Sequence, residues 1–470
     1  PLTTAGLILV LYLLAFCRAM ENIVFFVAFF VIYLLICAFK EKYRPDADTV
    51  TDVICFVVLG MTVSLLIKDH VIKWWDDVNF WATDAKALYF LNGFTGKYGN
   101  VAPEFGDYPP AIQIMKWCAL KFSLNGYREG YSFVGYSLMN MIFLLPLMRV
   151  ADSVNKSCNK VLSVFIRIVW MTVIMLIPGI VNDVWSYGAC ADVTMGIVYG
   201  AMLMAIYEAV CDESDGPGTM TYIKVALYGC VTALCKNTGF MWVTFAIILF
   251  IVLTLRMKKL VKNTILTATV IYLVQGSWWA NCLINRRIAK LTGALAKTAT
   301  GGMSMPDDAS DKLRYYLVGF IKEPMHTTHT PVLDIPALLM FVILVGLSVA
   351  AMITHKREGS YDRLISAHRI IIVYTVLSGI AIYAIVLMSH MSIFATETQY
   401  GSSEVMAISI SRYGAPFTIG TFMLLLSVIF RNAVTDKRVI ISFAAAVLLI
   451  ILTTDYPAYR YMLLGYTADR

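Results

Sequence analysis

The sequence predicts an all-α polytopic membrane protein with about thirteen transmembrane helices and a large extracytoplasmic first loop that contains juxtamembrane helices. Three observations lead there. The 470 residues are 59% hydrophobic and only 15% charged, whereas a soluble domain carries about 25% charged residues. Apolar runs of about 17–25 residues, long enough to cross roughly 30 Å of hydrocarbon, recur along the whole chain. Lysine and arginine gather in alternate connections, the pattern that fixes topology. One integral-membrane unit, 1–470, is therefore expected in place of several soluble domains.

The expected spans are 2–17, 22–39, 52–67, 131–149, 161–178, 190–208, 220–235, 239–255, 263–281, 335–354, 369–390, 413–430 and 438–453. Basic residues cluster at Lys40, Lys42 and Arg44, at Arg149, Lys156 and Lys160, at Arg256, Lys258, Lys259 and Lys262, at Lys356, Arg357, Arg363 and Arg369, and at Arg431, Lys437 and Arg438. These connections belong on the cytoplasmic side. The acidic loop "CDESDGPGT" fits poorly there, but acids weigh little in the rule. The two long polar segments, 68–130 and 282–334, then lie outside.

The net charge of +7 follows from this asymmetry and from attraction to anionic lipid, and no nucleic-acid motif accompanies it. Most of the ten cysteines lie in or beside spans, and none forms a zinc-type spacing or a disulfide framework.

The candidate chemistry sits on the outer side. "WWDDVNFWATDAKALYFLNG" places Asp76 and Asp77 just after the third span, behind two belt tryptophans, Trp74 and Trp75. Paired carboxylates at an interface repel and lose solvation, which raises one pKa and suits base or metal work. The alternative is a helix cap for the run ending at Asn92-Gly93. Further along, Tyr108-Pro109-Pro110 breaks the chain before an amphipathic run expected to lie along the membrane surface. Asp183 and Asp192 flank a later outer turn, Lys236 lies between two short spans, and Arg412 and Tyr413 open an outer-leaflet span. Cations at bilayer depth face a cavity or a partner, although Lys236 could snorkel and Arg412 could anchor at headgroups. His390 reads as a span-boundary residue. His326 and His329, three apart in a Thr/Pro-rich loop, read as solvent-facing rather than metal-binding. The segment 282–334 reads as a second outer loop that could act as a lid.

Through "DDVNFWATDAKALY", "YPP" at Tyr108–Pro110, "CKNTG" at Cys235–Gly239 and "SRYGAP" near Arg412, the chain resembles the GT-C superfamily of integral-membrane glycosyltransferases. The resemblance covers 50–250 and the stretch near 412. Two additional spans precede the first large loop compared with the family, and no sequon-binding signature is visible, which disfavours protein N-glycosylation. The resemblance implies a cell-envelope glycosyltransferase of a bacterial plasma membrane, its active site facing the extracytoplasmic side. The donor would be a polyprenyl-phosphate sugar lipid and the acceptor a hydroxyl of a glycan, glycolipid or protein. Asp76 takes the catalytic acid position and Asp77 that of the second acid. Asp192, Asp183 and Tyr108 would position the acceptor or the base, and Arg412, Lys236 and Tyr413 would hold the donor phosphate. Direct displacement would invert the anomeric centre. No cofactor is obligatory; a divalent cation on Asp76 and Asp77 is the variant. The competing expectations are a lipid-linked sugar flippase or transporter, whose polar path would run through the midplane, and a glycan polymerase or ligase using a polyprenyl-diphosphate carrier.

Overall fold

The computed structural model describes residues 1–40, 45–96, 105–155, 159–182, 184–211, 219–287, 306–326, 331–357, 362–395, 397–431 and 437–465. The described chain is built from helices, with no β-strand among the described residues and only isolated bridge positions, such as the pair Pro324 and Pro336. Three helices, α1 (Leu2–Phe16), α2 (Ile23–Lys40) and α3 (Ala47–Ile67), lead to the first large loop, which carries α4 (Ala82–Leu91) and α5 (Ala111–Lys121). The middle of the chain forms α6 (Gly130–Leu144), α7 (Met148–Asn155), α8 (Lys160–Ile174), a single turn α9 (Val184–Tyr187), α10 (Ala191–Cys211), α11 (Thr219–Ala233), α12 (Gly239–Arg256) and α13 (Val261–Ile284). Six helices complete it: α14 (Ala309–Ile321), α15 (Ala337–Arg357), α16 (Asp362–Met391), α17 (Ser403–Arg431), α18 (Lys437–Thr453) and α19 (Tyr456–Leu464).

Eight helices among the described residues are long and apolar enough to cross a membrane, or nine if the bent pair Val439–Thr453 and Tyr456–Leu464 counts as one span. This is the architecture of a polytopic membrane protein. Each expected span coincides with a helix, but not all have the reach. Helices α1, α8 and α11 have 15 residues each, about 22 Å at 1.5 Å per residue, short of the roughly 30 Å core. Helix α13 is longer, a continuous 24 residues, but Asn263, Gln275 and Asn281 break its apolar run. Phe25, Phe29 and Leu273 stand exposed on helix surfaces; such apolar faces suit hydrocarbon and not water.

At the centre lie α10 and α17, whose span windows are 94% and 83% buried, against 6% for Met20–Cys37. Small residues let these two backbones meet, as they do in helix pairs within lipid. A Cβ on Gly196 would lie 3.0 Å from Pro416 Cα, and one on Gly420 would lie 2.4 Å from the Tyr199 ring. This contact sets the spacing between Asp192, in the first turn of α10, and Arg412, in the third turn of α17.

Helix α5 is enclosed by protein, with nine of its eleven residues buried and α1, α4 and α6 packed against it. His390 lies in the last turn of α16, at the span end expected for it, and is fully buried, bonding Ser409 at 2.9 Å. One expectation changes here, that for His326. His326 is buried as well, with Nδ1 3.0 Å from Asp334 Oδ1 and Nε2 3.1 Å from the Gly179 carbonyl oxygen. His329 lies outside the described residues.

Candidate active site at the end of the α10–α17 pair

The loop after α3 ends in one π-helical turn, Asp77–Trp81, which leads into α4. Asn92, with φ of 49°, closes α4 in the left-handed conformation that asparagine tolerates. Asp76 stands at the start of the π-turn in helical conformation and makes no capping hydrogen bond. Its carboxylate instead accepts from Arg412 Nη2 at 2.5 Å. The Arg412 Nε donates to Asp192 Oδ2 at 3.3 Å, and Lys236 Nζ donates to Asp192 Oδ1 at 2.6 Å. Residues from four separate stretches, 76, 192, 236 and 412, thus form one chain of alternating charge.

Tyr413 lies beneath both cations, its ring centre 5.0 Å from Lys236 Nζ and 5.8 Å from the Arg412 guanidinium carbon, within cation–π range. Tyr108 stacks flat between Trp81 at 4.9 Å and Phe105 at 5.6 Å. Burial pushes its phenol well above the usual range, so it stays a neutral donor. The Pro109-Pro110 step directs the chain from this stack into α5, where the Ala111 N–H donates to the Leu234 carbonyl beside Lys236.

These residues line a cavity of about 800 Å³. Asp76, Tyr108, Asp192, Lys236 and Arg412 occupy its polar part, while Met195, Met241, Trp242, Ile382, Ile385 and Val386 supply an apolar wall. A smaller groove of about 210 Å³ between α15, α17 and α18 is lined almost wholly by aliphatic and aromatic side chains, with no charged residue.

Asp77 is not on the cavity. It is buried, with one oxygen 3.8 Å from Lys116 Nζ and the other accepting from the Ala189 N–H at 3.0 Å. Burial pushes the Asp77 carboxyl up and the Lys116 ammonium down, each toward its neutral form. Adjacent residues on a helical turn point about 100° apart, so one carboxylate faces the cavity while its neighbour faces the interior. Asp77 therefore ties the backbone at Ala189, three residues before Asp192, to the segment bearing Asp76. Gly188 is needed for that approach: a Cβ there would lie 2.5 Å from Asp77 Oδ2. A cation shared by Asp76 and Asp77 would have to displace both sets of partners. No cluster of three or more His, Cys, Asp or Glu among the described residues could hold a metal ion. Asp183 lies outside the described residues.

The segment 282–334 contributes no lining residue among those described. Helix α14 packs on α17, where a Cβ on Gly319 would lie 2.7 Å from the Ser403 carbonyl. The cavity is walled instead by the turn after α16, through Ile393, Phe394, Glu397, Gln399 and Tyr400. That turn escaped the sequence reading. Its only signal was the pair of polar residues, Glu397 and Gln399, flanked by aromatics in a connection that carries no lysine or arginine.

No family model, curated protein or solved structure matches this chain.

Proposed function

We propose that the protein is a membrane glycosyltransferase that moves a sugar from a polyprenyl-phosphate donor to an acceptor hydroxyl at the extracytoplasmic surface, in a chain of about thirteen spans. The observation that carries this reading is the amphiphilic cavity: two cations stand beside a carboxylate in its polar part, and an aliphatic and aromatic wall adjoins them. Such a cavity suits a ligand with an anionic head and a hydrocarbon tail.

In the reaction, Arg412 and Lys236 hold the phosphodiester through charge-assisted hydrogen bonds. Asp76 accepts the proton of the acceptor hydroxyl as its oxygen attacks the anomeric carbon. The bond from that carbon to the phosphate oxygen breaks, and the electron pair leaves with polyprenyl phosphate, whose extra negative charge the same two cations offset. Attack opposite the leaving group inverts the anomeric centre. Asp192, held by both cations, fixes their positions.

The Asp76 carboxylate is engaged by Arg412, the same guanidinium that would hold the donor phosphate. The donor phosphate competes for that guanidinium and releases Asp76 for proton transfer. Donor binding accordingly precedes productive acceptor binding.

The test uses proteoliposomes, a labelled polyprenyl-phosphate sugar and envelope-extract acceptors. Transfer with release of free polyprenyl phosphate is expected. Release of the diphosphate would indicate the polymerase or ligase chemistry instead, and movement of intact donor across the bilayer without cleavage would indicate a flippase.

A further inference from the structure

We propose that a second, smaller chamber beside the cavity anchors the acceptor, with Gln113 holding one of its non-reacting hydroxyls. The inference rests on the transferase reading and names the substrate class of that site: an uncharged acceptor with a free hydroxyl arm, such as a hydroxymethyl group. Tyr108, in the polar part of the cavity, also lines this chamber, together with Asp84, Thr95, Gln113, Trp278 and Arg287. The two spaces adjoin at that residue.

Gln113 stands on α5 and is 1% exposed, yet neither its amide oxygen nor its amide nitrogen has a hydrogen-bond partner. A buried amide in that state costs stability unless a bound group completes it. Its polar neighbours have partners of their own. Trp278 Nε1 donates to the Asp107 carbonyl at 2.8 Å, and Arg287 Nη2 donates to Thr95 and, at 3.2 Å, to the Gly96 carbonyl. Asp84 and Arg287, the charged groups among the described lining residues, attract each other and offset in formal charge. The chamber therefore offers neither an anion nor a cation a net attraction.

Size and hydrogen-bond chemistry select the ligand group. The chamber measures about 20 Å³, room for one group the size of a water molecule, which needs about 10–15 Å³. A sugar ring does not fit, but a single hydroxyl does. The Gln113 amide presents an acceptor and two donors, and a hydroxyl returns both a donor and an acceptor. A carbonyl or carboxylate leaves the amide oxygen unmatched, and an ammonium leaves the amide nitrogen unmatched. Thr95 and Arg287 are half-exposed and form the mouth, whereas Gln113 and Trp278 are buried and form the floor. One arm of the ligand enters, and the rest stays outside. A hydroxyl fixed here, with Tyr108 between it and the cavity of Asp76, orients the acceptor so that another hydroxyl meets the base.

The full-length protein in nanodiscs is titrated by ligand-observed NMR with methyl glucoside, methyl galactoside and methyl mannoside, each beside the analogue whose hydroxymethyl group is a methyl group. In at least one pair the hydroxymethyl sugar should bind about tenfold more tightly, because its analogue leaves a buried amide unmatched. Gln113→Leu, similar in volume, should narrow that difference to about twofold, raise the unfolding temperature and leave binding of polyprenyl phosphate unchanged. A raised unfolding temperature with the pair difference intact means a resident water only, and overturns the proposal. Equal or absent binding within every pair of the wild-type protein overturns it as well, whether or not the variant folds, while the donor site stands. Failure of the wild-type protein to bind polyprenyl phosphate overturns the transferase reading, and the acceptor role with it, whatever the glycosides do.

Discussion

Two arginines in this protein hold several carboxylates each, and they do so in opposite senses. Arg412 binds Asp76 and Asp192 beside a cavity of about 800 Å³. Arg167, on α8, binds Asp52 at 2.5 Å and Asp48 at 3.3 Å from α3, and Asp152 from α7. At the Arg167 cluster the cation is buried, with its side chain 5% exposed, while Asp48 and Asp152 are 42% and 52% exposed. At the Arg412 cluster the guanidinium side chain is 22% exposed, more than the 13% and 4% of its two carboxylates. A cation turned toward empty space with its counter-charges behind it can exchange a protein carboxylate for a ligand phosphate. A cation enclosed by carboxylates that face outward can only fasten helices together. The clusters differ in charge balance, two cations to two carboxylates against one cation to three, and in which partner is accessible.

The largest expected effect lies at the Arg412 cluster. Asp76→Asn should lower transfer by about 10²–10⁴-fold, the usual contribution of a general base, with folding intact by size-exclusion chromatography. Asp152→Asn, at the other cluster, should leave turnover within about twofold, since its loss is one exposed ion pair. If the two variants lose activity alike, the distinction between the clusters fails.

Next is the loss of each arginine. Arg412→Ala should weaken binding of a polyprenyl-phosphate lipid by about 30–100-fold, two charged hydrogen bonds at roughly 1–1.5 kcal/mol each. Arg167→Ala should leave lipid binding unchanged and lower stability by about 1–2 kcal/mol. That is less than the 3–5 kcal/mol of a fully buried pair, because Asp48 and Asp152 regain water. Lipid binding read by fluorescence and unfolding read by thermal denaturation in detergent separate the two. An Arg167 variant that loses lipid affinity without losing stability would contradict the comparison.

The same contrast shows what the sequence could disclose. Helical architecture was legible because apolar runs and basic connections are local properties of the chain. Asp76, Lys236 and Arg412 were legible for a related reason: an ionisable residue at a span end is expensive and needs a partner. Which partner it finds depends on contacts over 100 residues or more, such as Asp76 with Arg412. Asp77 could not be distinguished from Asp76 in the sequence, because the one-residue rotation of the π-turn decides which carboxylate faces the cavity. Arg167 was read only as part of an apolar span, although Asp48 and Asp52 lie four apart on one face of α3. The cavity wall at 397–400 was missed since two polar residues in a short connection carry no periodic signal.

The smallest effect concerns Asp84 on α4, a third arrangement in which burial outweighs the nearby cations. Burial pushes its carboxyl up to about 6, against the attraction of Arg287 and Lys116. Arg287 is occupied with Thr95 and the Gly96 carbonyl, so it lowers that value only in part. The folded-state pKa lies above the ordinary carboxyl value of 3.8, so the folded protein holds this proton more tightly than the unfolded chain. The stability contributed by the protonated group is complete below about pH 4 and is lost as pH rises through about 6. Asp84→Asn mimics the protonated form at every pH. Its advantage over wild type should grow by on the order of 2 kcal/mol between pH 4.5 and pH 7.5, read as the difference in unfolding temperature. The carboxylates of the Arg412 cluster each accept directly from a cation, so neutralising either removes an ion pair and should give no such gain. A difference for Asp84→Asn that stays constant across that pH range would mean that Arg287 and Lys116 compensate Asp84 as fully as Arg412 and Lys236 compensate Asp192.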